Sequence, residues 1–466
     1  MKRLFSNKSF WTIGLLISLF VSSLGLTSCK NDEESTSSTP VSVAKVYLED
    51  AKSAVTDREV TFARLGSLIR VEGSGFTGMK KVYINGYDAY FNPVMVTENS
   101  MIIQVPETAP VMGVADSVRN TIHFVKDAAE FTYKFQIRDA APTISSISNT
   151  MPAAGDSITI YGTGLTEINK ITFPGNVVVA DGIISDTKGT YCKLLMPAGL
   201  TDGGSLLVEG SNGGVYSPAY FNCKSGIILD FDANGSQGFW GWSPTGSMIN
   251  ASDLESTVIG VGAKSQGKYC AHLPSRITQF PAAKNRNTEV WTAGNGVDDW
   301  RGRFATLIPP TTAVSNFAFQ FDVFVPNTWV NTGFLKICLI NGFNGGEWSG
   351  KCYNYVPWLV NGIATPFKTT GWVTVTIPFS KFYAYSTTDV AYTFENILSD
   401  REKSSYQNFG IYYENSDIKL SNVTGKTTDE STVFSSSATS VNVYTDNWRI
   451  VPLTTPVYSD YPATAN

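Results

Sequence analysis

An internal repeat constrains this chain more than any other feature. Ile69, Arg70, Val71, Glu72, Gly73, Ser74 and Gly75 match Ile158, Thr159, Ile160, Tyr161, Gly162, Thr163 and Gly164 in register. In both stretches apolar residues alternate with others and a Gly-x-Gly then closes the run, the pattern of a half-buried strand ending in a turn. The match continues through Val82, Ile84 and Gly86 against Ile171, Phe173 and Gly175, and through Val105 and Pro106 against Met196 and Pro197. Self-similarity of this kind means two copies of one unit, and about 85 to 100 residues per copy is the size of a small β-sandwich. The expected units are 41–139 and 140–225, the first with a longer insertion between Leu48 and Gly66.

From Gly226 the composition shifts. Phe317 to Val325 and Trp372 to Ile377 alternate at period two, and Ile227 to Asp232, Gly333 to Ile340, Phe409 to Tyr413 and Val441 to Val451 read as further strands. No capped amphipathic helix is evident after residue 40. With 40 Gly and 21 Pro in 466 residues, the expected fold is all-β: two immunoglobulin-like sandwiches followed by a larger sandwich of jelly-roll type over 226–466.

The N-terminus reads as an address. Lys2, Arg3 and Lys8 precede an apolar run from Trp11 to Leu26 that is short for a membrane span, so 1–28 is expected to be a signal peptide. Removing those three cations takes the net charge from −5 to −8. A chain this acidic lacks the basic surface that nucleic-acid binding needs. Leu26, Thr27, Ser28 and Cys29 resemble a bacterial lipobox, with Cys29 the lipidated residue; the alternative is an ordinary cleavage site with a chance Cys. Behind it Asp32, Glu33 and Glu34 resemble the surface-export signal of Bacteroidetes lipoproteins, or serve simply as part of a solvated tether over 29–40.

Nine of the ten tryptophans lie after residue 226, Trp11 being the exception. Several sit among Gly, Asp and Ser, which read as loop neighbours. A flat aromatic ring covers the apolar C–H face of a sugar, and several rings in a row suit a repeating polymer. Trp291, Trp300, Trp329, Trp348, Tyr353 and Trp358 are therefore the expected glycan-binding rings, with Asn295, Asp298, Asp299 and Glu347 as candidate partners for hydroxyls. Trp372 and Trp448, inside alternating strands, are expected in the core. Trp240 and Trp242 bracket Gly241, so one would face in and one out.

The repeats, with Pro142, Thr143 and Ile144 opening the second, resemble the IPT/TIG domain. Tyr444 to Pro452 resembles the last strand of many carbohydrate-binding modules. With the lipobox, the architecture resembles the surface glycan-binding proteins of Bacteroidetes polysaccharide-utilisation loci, of xyloglucan-binder type. That resemblance implies a non-catalytic protein on the outer membrane, facing the exterior. It further implies capture of a neutral β-linked plant glycan (xyloglucan, mixed-linkage glucan or mannan), a lipid anchor, and a SusC/SusD-type transporter as partner.

Other chemistries find less support. Two His in different units and no Cys-x-x-Cys argue against zinc, and no cofactor is expected. Asp230, Asp232 and Asp446 could hold a structural Ca²⁺. Besides Cys29 five cysteines remain, with Cys192–Cys223 and Cys338–Cys352 as conceivable pairs and buried thiols as the alternative. A β-sandwich glycoside hydrolase or lyase needs two carboxylates flanking the bond, and none is evident near the tryptophans. An adhesin acting through the Ig-like repeats is the third reading.

Overall fold

The computed structural model describes residues 39–51, 55–238, 254–255, 267–273, 289–294, 296–340, 351–419 and 431–461. Cys29, Trp240, Trp242, Asn295, Glu347 and Trp348 lie outside these residues. Among the described residues no helix is long and apolar enough to cross a membrane.

Each repeat is a pair of four-stranded sheets. In the first, strands Arg58–Glu59, Ser42–Leu48, Leu68–Ser74 and Ser100–Gln104 form one sheet and Tyr87–Ala89, Lys81–Ile84, Thr121–Val125 and Glu130–Lys134 the other. In the second, Thr143–Ile147, Ser157–Thr163, Tyr191–Leu195 and Ile184–Ser185 face Ile168–Phe173 and its neighbours. The alternating residues face inward: Ile69 and Val71 in one copy, Ile158 and Ile160 in the other, are wholly buried.

The Gly-x-Gly has the same geometric job in both copies. A Cβ on Gly73 would lie 1.9 Å from the Ser42 carbonyl oxygen, and one on Gly162 would lie 1.8 Å from that of Thr143. In both cases the first strand of the unit bulges past the glycine. Gly75 and Gly164 then turn the chain with φ of +79° and +67°, a region where side chains are strained.

The C-terminal sandwich stacks two sheets. One is six-stranded, with Val443–Pro452 paired to Phe317–Phe324, Tyr269–His272 and Ile227–Leu229, and Val373–Pro378 and Leu254–Glu255 further out. The other is five-stranded, in the order Gln237–Gly238, Val290–Thr292, Gly410–Glu414, Phe334–Cys338, Cys352–Tyr355. Two helices cap one end. Trp300–Phe304 starts on Asp299, whose carboxylate accepts the Gly302 N–H. Phe394–Glu402 starts on Thr393, whose N–H donates to the Asn396 side chain at 2.8 Å. Neither was evident in the sequence: one is five residues long and the other nine, too short for a periodic signal, and Asn replaces the usual Glu or Gln of a capping box.

The strand Phe317–Phe324 is buried on both faces, and the reason fixes the layout. Phe317, Phe319, Phe321 and Val323 enter the main core between the sheets. On the opposite face Ala318 joins the core of the second Ig-like unit, while Gln320 and Asp322 hold Arg449. That guanidinium donates to Asp322 at 2.9 Å, to Gln320 at 3.1 Å, and to Thr150 of the second unit at 2.9 Å. Part of the outer face of the six-stranded sheet is thus spent on the neighbouring unit, while Phe324 on the same face packs with Tyr269, Trp372 and Tyr444 in a separate aromatic cluster. The five-stranded sheet has an outer face of its own.

Candidate functional site

Strand alternation places Glu289 and Trp291, Tyr412 and Glu414, Lys336 and Cys338, and Cys352 and Asn354 on that second face of the five-stranded sheet. Trp291, Tyr412, Cys338 and Cys352 form a small apolar cluster separate from the main core, with Tyr383 against it. Trp291 lies across Gly410, its register partner; a Cβ there would be 2.2 Å from the indole, so only glycine leaves the ring room to lie on the sheet.

Charged and polar groups edge this aromatic floor. The Trp291 indole N–H donates to Glu289 at 2.7 Å. Glu414 accepts from the Tyr412 hydroxyl at 3.0 Å, the Ser416 hydroxyl at 2.7 Å and the Lys336 ammonium at 3.4 Å. Burial alone would depress the Lys336 amine, but the Glu414 carboxylate beside it works the other way and the net shift is upward. Burial pushes the thiols of Cys338 and Cys352 up, which leaves them protonated and poor nucleophiles. This face thus groups two rings with two carboxylates and an ammonium, and Trp291, Tyr412 and Glu289 are buried within it.

The other expected rings lie elsewhere. Trp300, Trp329 and Trp358 belong to the main core, each 2% exposed or less. Their indole N–H groups donate to Asp298 at 3.1 Å, the Thr332 carbonyl at 2.6 Å and the Gly333 carbonyl at 2.9 Å. A ring enclosed in this way presents no face to a sugar, so these three correct the sequence reading. Tyr353 points to the inner side at the sandwich edge, half-buried, 5.8 Å from the Phe382 ring. Trp372 and Trp448 are buried, as expected. Of the six rings, only Trp291 lies on the outer face among the described residues, and even it is fully buried.

Of the polar candidates among the described residues, Asp299 is exposed and caps a helix, whereas Asp298 is internal. Asp298 accepts from Thr292, Trp300, Arg303 and Arg401 at 2.6–3.1 Å, and Arg401 lies 3.9 Å over the Trp300 ring. The adjoining cavity of about 140 Å³, between Gly296, Asp299, Arg301, Glu402 and Gln407, is edged by groups already paired. Arg301 alone binds Glu395 and Glu402, all at 2.6–3.0 Å.

Among the described residues no group of side chains could hold a metal ion. Asp230 spends one oxygen on the backbone N–H groups of Asp232, Ala233 and Asn234, and Asp232 accepts the Lys268 N–H. The five described cysteines are thiols, although Cys338 and Cys352 are register partners. His272 is buried against Thr445 and Cys270.

The fold, a β-sandwich carried on immunoglobulin-like domains, is matched by a family of glycan-binding proteins. The family described as "Surface glycan-binding protein B xyloglucan binding domain" matches residues 221–452, and the IPT/TIG domain matches residues 142–222. The C-terminal domain belongs to the surface glycan-binding protein B family. A curated relative, an IPT/TIG domain-containing protein of Bacteroides ovatus, is 29% identical over 209 residues, covering 42% of this chain and 41% of that one. The match therefore spans less than half of that relative. Among solved structures, surface glycan-binding protein PbSGBP-B from Prevotella bryantii superposes with a TM-score of 0.59 at 19% identity, covering 89% of this chain and 99% of that one. SGBP-B from a complex xyloglucan utilization locus in Bacteroides uniformis gives 0.46 at 16% identity, covering 88% and 99%. At 19% identity the first of these establishes a shared fold.

Proposed function

We propose that the chain captures a neutral β-linked plant glycan, xyloglucan in the first place, at the bacterial surface without cleaving it. The contact surface in this reading is the outer face of the five-stranded sheet, floored by Trp291 and Tyr412. One observation carries the placement: Trp291 and Tyr412 form, with Cys338 and Cys352, an aromatic cluster on this outer face that is separate from the main core. Trp240, Trp242 and Trp348 lie outside the described residues and remain candidate rings, with Tyr353 on the edge strand of this sheet.

A neutral ligand fits the charges. Arg301, Arg303 and Lys351 are the cations an anionic glycan would have sought, and each is paired with a carboxylate: Glu395 and Glu402, Asp298, and Asp400. Glu289 and Glu414 do share the proposed face, which is the feature a hydrolase would need. Glu414, however, already accepts from two hydroxyls and an ammonium, so its oxygens are engaged within the protein and not directed at a glycosidic oxygen. The Ig-like units serve as the stalk, Cys29 as the lipid anchor in the outer membrane, and a SusC/SusD-type transporter as recipient of the glycan. Affinity electrophoresis in xyloglucan, mixed-linkage glucan and mannan gels tests the reading: retardation in at least one neutral gel supports it, and retardation only in an anionic gel overturns it.

A further inference from the structure

The segment after the last strand does not stop at the sandwich. The Leu453 N–H donates to the Asn316 carbonyl of the sandwich at 2.8 Å, and the Thr454 carbonyl accepts from Ala219 of the second Ig-like unit at 2.9 Å. Further along, Tyr458 packs on Tyr216 with ring centres 6.3 Å apart. Asp460 then reaches the first unit, bonding Arg64 at 2.5 Å and Arg138 at 3.0 Å. Tyr461 stacks on Phe62 at 5.3 Å and 13° between planes, with Arg58 over its other side at 4.7 Å.

The underlying surface is shaped for this path. Cβ atoms on Gly213 and Gly214 would lie 2.3 Å from Asp460 and 2.5 Å from Tyr458, so two adjacent glycines in the second unit form the groove the segment occupies. Asp460, Arg64 and Arg138 are each less than one-fifth exposed, which shields the ion pairs from the screening that makes surface pairs weak. Arg64 also donates to the Asn212 carbonyl at 3.0 Å, so one guanidinium joins both Ig-like units and the segment.

We infer that residues 453–461 are a strap that fixes the first Ig-like unit relative to the sandwich, so that stalk and binding face move as one body. Direct contacts between the two Ig-like units also exist, chiefly Arg119 with Glu167 and Asp139 with Asn212. The strap touches all three units. Its effect is on direction: a stiff stalk holds the binding face at a set distance and angle from the anchor, which a jointed one would not.

The test uses the full chain without its leader, spin-labelled at Tyr90→Cys in the first unit and Val390→Cys in the sandwich, both exposed positions. Pulsed distance measurement should give a single narrow peak for the parent. Asp460→Ala with Tyr461→Ala, and separately a chain ending at Thr454, should lose that peak to a broad distribution while glycan affinity stays unchanged. A broad parent distribution, or variants as narrow as the parent, overturns the strap. Gly214→Ala serves as an independent perturbation from the groove side and should broaden the distribution too.

Discussion

The Trp291 indole N–H sits 2.7 Å from the Glu289 carboxylate, two residues back on the same strand. Both side chains lie on the sheet face turned away from the main core, whereas Val290 between them is buried within that core. One residue of offset therefore separates a side chain of the main core from a ring on the sheet's second face.

That offset separates two kinds of tryptophan variant. Trp329→Ala and Trp358→Ala should each lower stability by about 3–5 kcal/mol, because they leave large cavities in the main core. Glycan affinity per folded molecule should be unchanged. Thermal melts and titrations on the same samples check this; loss of affinity at unchanged melting temperature would place those rings in the site after all.

Asp446 gives a pH signature. Burial first, and Asp322 second, raise its carboxyl well above the ordinary range. An unfolded Asp titrates near about 3.9, so above that pH the unfolded chain releases a proton the folded chain retains. Stability contributed by the protonated group is thus lost as pH rises from about 4 toward the raised folded value. Asp446→Asn should melt higher than the parent at neutral pH, with the gap closing as pH falls toward 4. A gap independent of pH contradicts the assignment.

Asp322→Ala should be among the most damaging single changes, costing about 3–5 kcal/mol, since it strands the buried Arg449 guanidinium. Because Arg449 also binds Thr150, the junction between the second unit and the sandwich should become protease-sensitive. Asp322→Ala combined with Arg449→Met should recover part of the stability. Failure of the double variant to recover any would show that the pair does not act as a unit.

Cys29→Ala should move the protein from the membrane fraction to the soluble one without changing its affinity. Deleting Asp32, Glu33 and Glu34 should leave it lipidated but protected from external protease. Membrane retention of the first variant, or undiminished surface digestion of the second, contradicts the corresponding step.

Much of the architecture was legible because it rests on local periodicity. The alternation from Phe317 to Val325 and the paired Gly73–Gly75 and Gly162–Gly164 runs report strand faces and close backbone approaches directly. Trp300, Trp329 and Trp358 read as binding rings in the sequence but lie in the core. An indole carries one N–H, and a buried one needs an acceptor. For Trp300 that acceptor is the neighbouring Asp298, so its polar context is the sign of a satisfied burial. Trp329 and Trp358 use the main-chain carbonyls of Thr332 and Gly333, which no side-chain pattern announces. Tyr412 and Glu414 were missed because Phe409 to Tyr413 reads as a strand whose two faces are both aromatic, and only pairing with Trp291 and Lys336 tells the faces apart.

The most direct test of the proposed binding face is calorimetric titration of xyloglucan oligosaccharides of increasing length into the full chain and into Trp291→Ala and Tyr412→Ala. The parent should bind more tightly as the oligosaccharide lengthens, up to a plateau, and should release no new reducing ends. Both variants, once shown to be folded, should lose about 1–3 kcal/mol of binding, the scale of one ring stacked on a flat partner. Binding equal to the parent in both variants, or steady release of reducing ends by the parent, would contradict the account.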